Sequence, residues 1–399
     1  MHGGVSPRHF SFGVLEHSWE PVSYRESWRT QFYSLMEEGL HMMRYVKRKA
    51  VLLTAILLII FQASNHVMAD NYPKPEEHAY TITNFRFHDG STMDLKTHYL
   101  TIGNPDGKPV LILHGTNGSA RKMLNKGFAE ALFGPGQPLD AQKYFLILPD
   151  SIGAGGSQKP SDGLRMKFPH YNYDDMVEAQ YRLVKEGLGI DHLRLILGHS
   201  MGGMHVWNWG IRYPDFADAL VPMASLPAPM AGRNWMMRRM LIDAITKDPA
   251  WQSGNYQRQP ENLRIASVWY DLATNGGNTR LWQAAPTNAE ANTLVDAKLS
   301  EAKIVDANDT LYQWSASGDF DPSKDLEKIT AYLFAINAAD DERNPEELGL
   351  LQAAVDRMPH GSYLIIPASS KTRGHATTSN VAELYAEKLS EFMSHVPTK

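Results

Sequence analysis

Short apolar runs and helical periods alternate along most of the chain. Apolar runs occur at Val110-Leu111-Ile112-Leu113, Tyr144-Phe145-Leu146-Ile147-Leu148, Leu193-Arg194-Leu195-Ile196-Leu197, Ala219-Leu220-Val221-Pro222-Met223-Ala224, Tyr332-Leu333-Phe334-Ala335-Ile336 and Tyr363-Leu364-Ile365-Ile366. Runs of this kind, bounded by turn residues, predict strands buried on both faces. Helical periods lie between them, at about 120–132, 173–187, 204–213, 345–358 and 381–396. Ahead of them, 80–87 and 92–102 alternate around Asp89-Gly90, which predicts a β-hairpin. The whole pattern predicts an α/β architecture, with a mostly parallel central sheet and helices on both faces.

From 226 to 328 the rhythm changes. No strand pattern is present, helical periods such as 236–245 appear, and Trp235, Trp251, Trp269, Trp282 and Trp314 are concentrated there. This stretch is expected to be a helical cap inserted over the strand ends. It divides the core into a first part, 70–225, and a second, 329–399.

The amino-terminal region follows a different plan. Met43-Arg44-Tyr45-Val46-Lys47-Arg48-Lys49 is basic, 50–61 is apolar apart from Thr54, and a more polar stretch ends Val67-Met68-Ala69. This predicts a signal peptide over 43–69, cleaved after Ala69, and a periplasmic or secreted protein. The alternative is an inner-membrane anchor formed by uncleaved 50–61, although that run is shorter than the roughly 20 residues a spanning helix needs. Signal peptides start near the initiator methionine, so 1–42 is expected to be a mis-called extension and the true start to be Met42 or Met43. No stable membrane span is expected after cleavage.

The 399 residues are 43% hydrophobic and carry a formal net charge of -5, which gives no reason to expect nucleic-acid binding. The absence of cysteine excludes disulfides, thiolate nucleophiles and thiolate metal sites. No metal-ligand spacing and no nucleotide motif is present, so neither a metal nor a cofactor is expected. A small-molecule acyl substrate is the expected partner, and the chain is compatible with a homodimer.

The candidate chemistry centres on Gly198-His199-Ser200-Met201-Gly202-Gly203, between a predicted strand and a predicted helix. Gly-x-Ser-x-Gly at such a turn presents the serine hydroxyl at the carboxyl end of the sheet. A serine nucleophile needs a base, a carboxylate to orient that base, and N–H donors for the oxyanion. His375, after the last strand, is the expected base. Asp340 or Asp341, after the strand before it, is the expected acid. The N–H groups of Met201 and Thr116 are the expected oxyanion donors. His114 and His199 fall in the loop after the first parallel strand and in the turn itself. The glycines of 149–157 read as a structural loop lining the site.

Residues from about 80 to 395 resemble the α/β-hydrolase superfamily, and within it the homoserine O-acetyltransferase group. The resemblance rests on Gly198-His199-Ser200-Met201-Gly202-Gly203-Met204, on Arg212-Tyr213-Pro214, and on Ala244-Ile245-Thr246-Lys247-Asp248-Pro249-Ala250-Trp251-Gln252-Ser253-Gly254-Asn255-Tyr256. It implies the α/β-hydrolase fold, an acyl-serine intermediate and a helical cap over the pocket. In that fold a proline follows the acid by four residues. Pro345 therefore favours Asp341, with Asp340 as the alternative.

In the acetyltransferases, an arginine that contacts the amino acid's carboxylate lies six residues before the Asp-Pro aspartate. That position here is Ile242, and Arg239, one turn back, is the expected substitute. Arg233, Arg238 and Arg239 together read either as an anion site or as a solvated face. The chain also has Gly374-His375-Ala376 where the group has Gly-His-Asp, and His114-Gly115-Thr116 where the group has an Ala-Leu pair. The latter form looks more like general esterases. Acetyl-CoA is cytosolic, so an exported enzyme would not meet it. The expected function is therefore hydrolysis of a carboxylic ester or amide, with acyl transfer of the homoserine O-acetyltransferase kind as the alternative. Methionines and tryptophans of the cap suggest an apolar acyl pocket.

Overall fold

The computed structural model describes residues 36, 39–43, 49, 71–302 and 305–398. The expected extension 1–42 and signal peptide 43–69 otherwise lie outside the described residues. Asp70–Lys399 forms one compact unit. Among the described residues, no helix is long and apolar enough to cross a membrane.

The strands are β1 (Glu76–Arg86), β2 (Thr92–Gly103), β3 (Lys108–Leu113), β4 (Tyr144–Pro149), β5 (Leu193–His199), β6 (Ala217–Met223), β7 (Tyr332–Ala338) and β8 (Gly361–Ile366). They form one eight-stranded sheet in the order β1-β2-β4-β3-β5-β6-β7-β8. β1 pairs antiparallel with β2, and β2 with β4; the pairings from β4 across to β8 are parallel. This is the α/β-hydrolase fold expected from the sequence.

Successive side chains on a strand face opposite sides of the sheet. Leu111, Leu113 and Ile196 accordingly pack with Val177 and Trp207, from helices Tyr173–Arg182 and Met201–Arg212. Val110, Ile112, Leu195 and Leu197 pack on the other face with Phe128, Leu132 and Leu389. Chain order reverses direction between β3 and β5, and a crevice at the carboxyl ends of such neighbours is where ligands bind in open α/β sheets. Leu113 pairs with Gly198 there.

Three predicted helices are interrupted. The 120–132 period splits into Arg121–Leu124 and Ala129–Leu132, because Gly127 lies against the backbone of Asn380 and its carbonyl accepts the Ala382 N–H at 2.7 Å. The 345–358 period breaks at Gly349, whose φ of 63° is left-handed, leaving Leu350–Val355. The closing helix starts at Ala386, after a turn at Ala382–Leu384.

Between β6 and β7 the described residues form helices Gly232–Thr246, Glu261–Thr274, Asn278–Ala284, Asn288–Glu301 and Ala307–Ser315. Ile245, Leu263 and Leu311 share one small core, and Met237, Leu241, Tyr270 and Trp314 another. The tryptophans and methionines of the insertion divide between its surface and its cores. Trp269, Trp282, Met236 and Met240 are exposed, and Trp251 is bonded through its indole N–H to Asn308. Met237 and Trp314, by contrast, are buried in the second of these cores.

Gly202 shows how closely these layers approach, since a Cβ built there would overlap the Leu113 carbonyl. Gly202→Ala is expected to destabilise the fold by about 1–3 kcal/mol, as overpacking does. A lowered urea midpoint at unchanged m-value is the readout, and an unchanged midpoint would refute this account of the turn.

Candidate active site

β5 is buried along its whole length and delivers the chain to Ser200. There the backbone turns sharply, with φ 58° and ψ −115°, a conformation that costs a non-glycine residue about 1–3 kcal/mol. The Ser200 N–H donates to the Met223 carbonyl at 2.9 Å, and the Ser200 carbonyl accepts from the Met204 N–H at 2.9 Å. Gly198 permits the turn, because a Cβ there would overlap the Gly202 carbonyl.

The structure brings Ser200, His375 and Asp341 together. Ser200 Oγ is 2.7 Å from His375 Nε2, and His375 Nδ1 is 2.9 and 3.0 Å from the two Asp341 oxygens. All three are at most 2% exposed. With its Nδ1 proton donated to the carboxylate, the imidazole presents Nε2 as an acceptor for the serine hydroxyl.

Asp341 also accepts the Asn344 amide N–H and the Arg343 backbone N–H, each at 2.9 Å. Asp340 faces the other way. It accepts the Thr372 hydroxyl at 2.7 Å and the Gly374 N–H at 3.4 Å, so it braces the loop that carries His375. The His375 N–H donates to the Thr274 carbonyl at 2.9 Å, at the end of helix Glu261–Thr274. The helical insertion thus holds the backbone of the histidine.

Electrostatics keep this histidine neutral. Burial is the largest influence pushing it below its ordinary range, and the Arg343 and Arg238 charges push it the same way, against Asp341. Burial alone would raise Asp341. The adjacent imidazole and the Asn344 and Arg343 donors outweigh that and hold it below the usual carboxylate range.

The loop after β3 lies against the nucleophile. A Cβ on Gly115 would sit 3.3 Å from Ser200 Cβ, and Gly115 accepts the Gly118 N–H at 2.9 Å to close a turn over Thr116 and Asn117. The Thr116 hydroxyl oxygen is buried with no partner among the described residues. Met201 opens the following helix, where the first N–H groups have no intrahelical acceptor.

Gln313, on helix Ala307–Ser315, ties this loop to the next. Its amide donates to the Ile152 carbonyl at 2.6 Å, and its oxygen accepts the Asn117 N–H at 3.5 Å. His114 accepts the Ser151 N–H at 3.0 Å through Nε2, and His199 contacts the Thr378 hydroxyl at 2.9 Å. In the glycine-containing loop 149–157, Asp150 accepts the Ala120 and Gly156 N–H groups at 2.6 and 2.8 Å. This loop is held by its own carboxylate.

The arginine expectation is corrected. Arg239 is exposed on the outer face of helix Gly232–Thr246 and paired with Asp243 at 2.8 Å, and Arg233 is paired with Glu342. Arg238 is fully buried instead. Consecutive helical residues point about 100° apart, so the inward position lies four residues before Ile242 rather than three. The loop arginine Arg343, also buried, was not anticipated. Neither were Gln313 and Asn344. Nothing in the polar run Asp340-Asp341-Glu342-Arg343-Asn344 distinguishes the buried members from the exposed ones.

A family profile described as alpha/beta hydrolase fold matches residues 108–281. The chain has the α/β-hydrolase fold and resembles that superfamily in sequence over those residues. Within it, the chain is similar to the homoserine O-acetyltransferase group. A probable acyltransferase of Methanothermobacter thermautotrophicus is 28% identical over 284 residues, 69% of this chain and 86% of that protein. A homoserine O-acetyltransferase of Moorella thermoacetica is 34% identical over 166 residues, 37% of this chain; the match spans only 43% of that relative's length. Among solved structures, homoserine O-acetyltransferase from Bacillus anthracis has a TM-score of 0.72 at 20% identity, covering 82% of this chain and 99% of that one. Esterase E22 has a TM-score of 0.69 at 20% identity, covering 80% of this chain and 100% of that one. At these identities the structural likeness is one of fold. The proteins this chain is similar to thus include both acyltransferases and, among the structures that share its fold, esterases.

Because its pKa is depressed, His375 should stay neutral well below pH 6.5, the ordinary histidine value, and protonate only in more acidic solution. Nitrogen-15 NMR of the labelled imidazole reads this directly. A titration midpoint near the ordinary value would contradict the buried, arginine-flanked setting.

Proposed function

We propose that this α/β-hydrolase protein is an exported serine hydrolase that cleaves a carboxylic ester, or less readily an amide, through an acyl-Ser200 intermediate. The observation that carries the reading is the unbroken hydrogen-bonded chain from Ser200 Oγ through His375 to Asp341.

In the first half-reaction Ser200 Oγ attacks the acyl carbon and its proton passes to His375 Nε2. Asp341 holds the ring and stabilises the imidazolium that forms. The Met201 and Thr116 N–H groups are assigned to the oxyanion. When the tetrahedral intermediate collapses, the bond to the leaving alcohol breaks and His375 returns the proton to that alcohol. In the second half-reaction water attacks the acyl-enzyme and His375 takes its proton; the bond from the acyl carbon to Ser200 Oγ then breaks, His375 returns the proton to that oxygen, and the carboxylic acid leaves.

Export is supported by the basic, apolar and polar sequence of 43–69, and places the protein in the periplasm or outside the cell. Acyl transfer to an amino alcohol is the second reading, favoured by the relatives named as acyltransferases. Two features stand against it. An alkyl side chain, Ile242, packed in the small cores of the insertion, occupies the position of the carboxylate-binding arginine, and Ala376 follows the histidine.

The test is release of 4-nitrophenol from 4-nitrophenyl acetate. Ser200→Ala should lower turnover to the buffer rate. Asp341→Asn should cost on the order of 10³–10⁴ in kcat, since it fixes the wrong imidazole tautomer. Asp340→Asn keeps an oxygen acceptor for Thr372 and should lose no more than about tenfold. Equal losses in the two aspartate variants would refute the assignment of the acid. Acyl-homoserine formed in preference to free acid, when homoserine is supplied, would favour the transferase.

A further inference from the structure

The loop after β3 holds a donor that the fold itself does not use. Thr116 Oγ1 is buried and has no hydrogen-bond partner among the described residues. A buried hydroxyl without a partner destabilises a fold, so one that persists calls for a reason.

The polar groups around it are engaged. The Gly115 carbonyl accepts twice, from His114 Nδ1 at 2.8 Å and from the Gly118 N–H at 2.9 Å. His114 donates there because its Nε2 takes the Ser151 N–H. The Asn117 N–H reaches Gln313 at 3.5 Å, and the Asn117 carbonyl accepts from Lys122 Nζ at 2.6 Å. Asn117 takes the left-handed position of the turn, with φ 55°. The turn is thus fixed by His114 from the core, by Gln313 from the insertion and by Lys122 from the helical turn Arg121–Leu124. Thr116, between Gly115 and Asn117, is held in place with its hydroxyl uncommitted.

Its location gives that hydroxyl a use. Thr116 follows Gly115, on which a Cβ would sit 3.3 Å from Ser200 Cβ. In two of the three staggered rotamers a threonine hydroxyl lies beside the backbone nitrogen of its own residue, so the N–H and the O–H can converge on one acceptor. We propose that the Thr116 hydroxyl is a third oxyanion donor, bonded to the substrate oxygen once Ser200 has added to the acyl carbon. This rests on the acyl-Ser200 reading and goes beyond it, since that reading asks only for N–H groups. A preorganised donor is worth most where charge develops during reaction. One with no bond to break beforehand delivers its whole contribution to the transition state. The Ala-Leu pair that the homoserine O-acetyltransferase group carries in place of His114-Gly115-Thr116 offers no such hydroxyl.

Thr116→Val removes the hydroxyl and keeps the N–H and the β-branched shape, and Thr116→Ser keeps the hydroxyl. With 4-nitrophenyl acetate, Thr116→Val should lose on the order of 10² in kcat at little change in KM, as removal of one oxyanion donor does. Thr116→Ser should stay within about threefold of the unmodified protein. The Tm of Thr116→Val should equal or exceed that of the unmodified protein, because the lost hydroxyl leaves no partner stranded. A trifluoromethyl ketone supplies a second readout. Ser200 Oγ adds to its carbonyl carbon and the serine proton passes to His375 Nε2, leaving an oxyanion in the same place. Its inhibition constant should weaken in Thr116→Val by the same factor as kcat/KM, as expected of a mimic of the tetrahedral state.

Unchanged kcat in Thr116→Val, or equal losses in Thr116→Val and Thr116→Ser, would overturn the third donor and leave the acyl-serine reading intact. A lowered Tm or failure to fold in Thr116→Val would also overturn it, since the hydroxyl would then be holding up the fold. A protein that neither cleaves the ester nor binds the ketone would remove the acyl-serine reading, and the third donor with it.

Discussion

The site depends on the sharp backbone turn at Ser200. A non-glycine residue at φ 58° is held there only because its surroundings leave it no alternative. β5 is fixed on both sides, by β3 and β6, and the helix after Ser200 is pressed against β3 so closely that a methyl group at Gly202 would strike the Leu113 carbonyl. The same approach sets the loop after β3 against Ser200, since Leu113 is paired with Gly198 and runs directly into His114 and Gly115. Packing of the sheet and helix thus determines both the direction of the Ser200 hydroxyl and the closeness of the Gly115 loop to it.

Around that turn the charges are unequal. Asp341 stays ionised because it is fully hydrogen-bonded, and His375 stays neutral because burial and two guanidiniums disfavour a further positive charge. An imidazole in this setting turns Nε2 towards the Ser200 hydroxyl, and Asp341 is the carboxylate that faces its other nitrogen.

Much of this was legible in the sequence because strands, elbow and triad order are written in local patterns. Apolar runs bounded by turns marked the parallel strands, and the Gly-x-Ser-x-Gly context marked Ser200. Pro345 pointed to Asp341 over its neighbour, and the structure gives the two aspartates different partners for a plain reason: one faces the imidazole and the other the loop behind it. Interrupted helices were less legible, because Gly127 and Gly349 break them through tertiary contact and backbone geometry rather than composition. The phase of helix Gly232–Thr246 was misjudged by one residue, which exchanged buried Arg238 for exposed Arg239. Gln313 and Arg343 carried no local signal, since their roles arise only where distant segments meet.

The helical insertion is not one mechanical piece. Helix Ala307–Ser315 buries most of its residues and is bolted to the core by Gln313 and by the Tyr312 hydroxyl, which donates to the Phe168 carbonyl at 2.7 Å. The end of helix Glu261–Thr274 is fastened to His375. By contrast, helices Asn278–Ala284 and Asn288–Glu301 contain no buried residue. The outer pair is therefore held to the rest by less buried surface than the inner pair. Local opening of the insertion is expected to begin at the outer pair, and Gly277, which lies against Asp340 and Thr372, is the point where that pair joins the loop that carries His375.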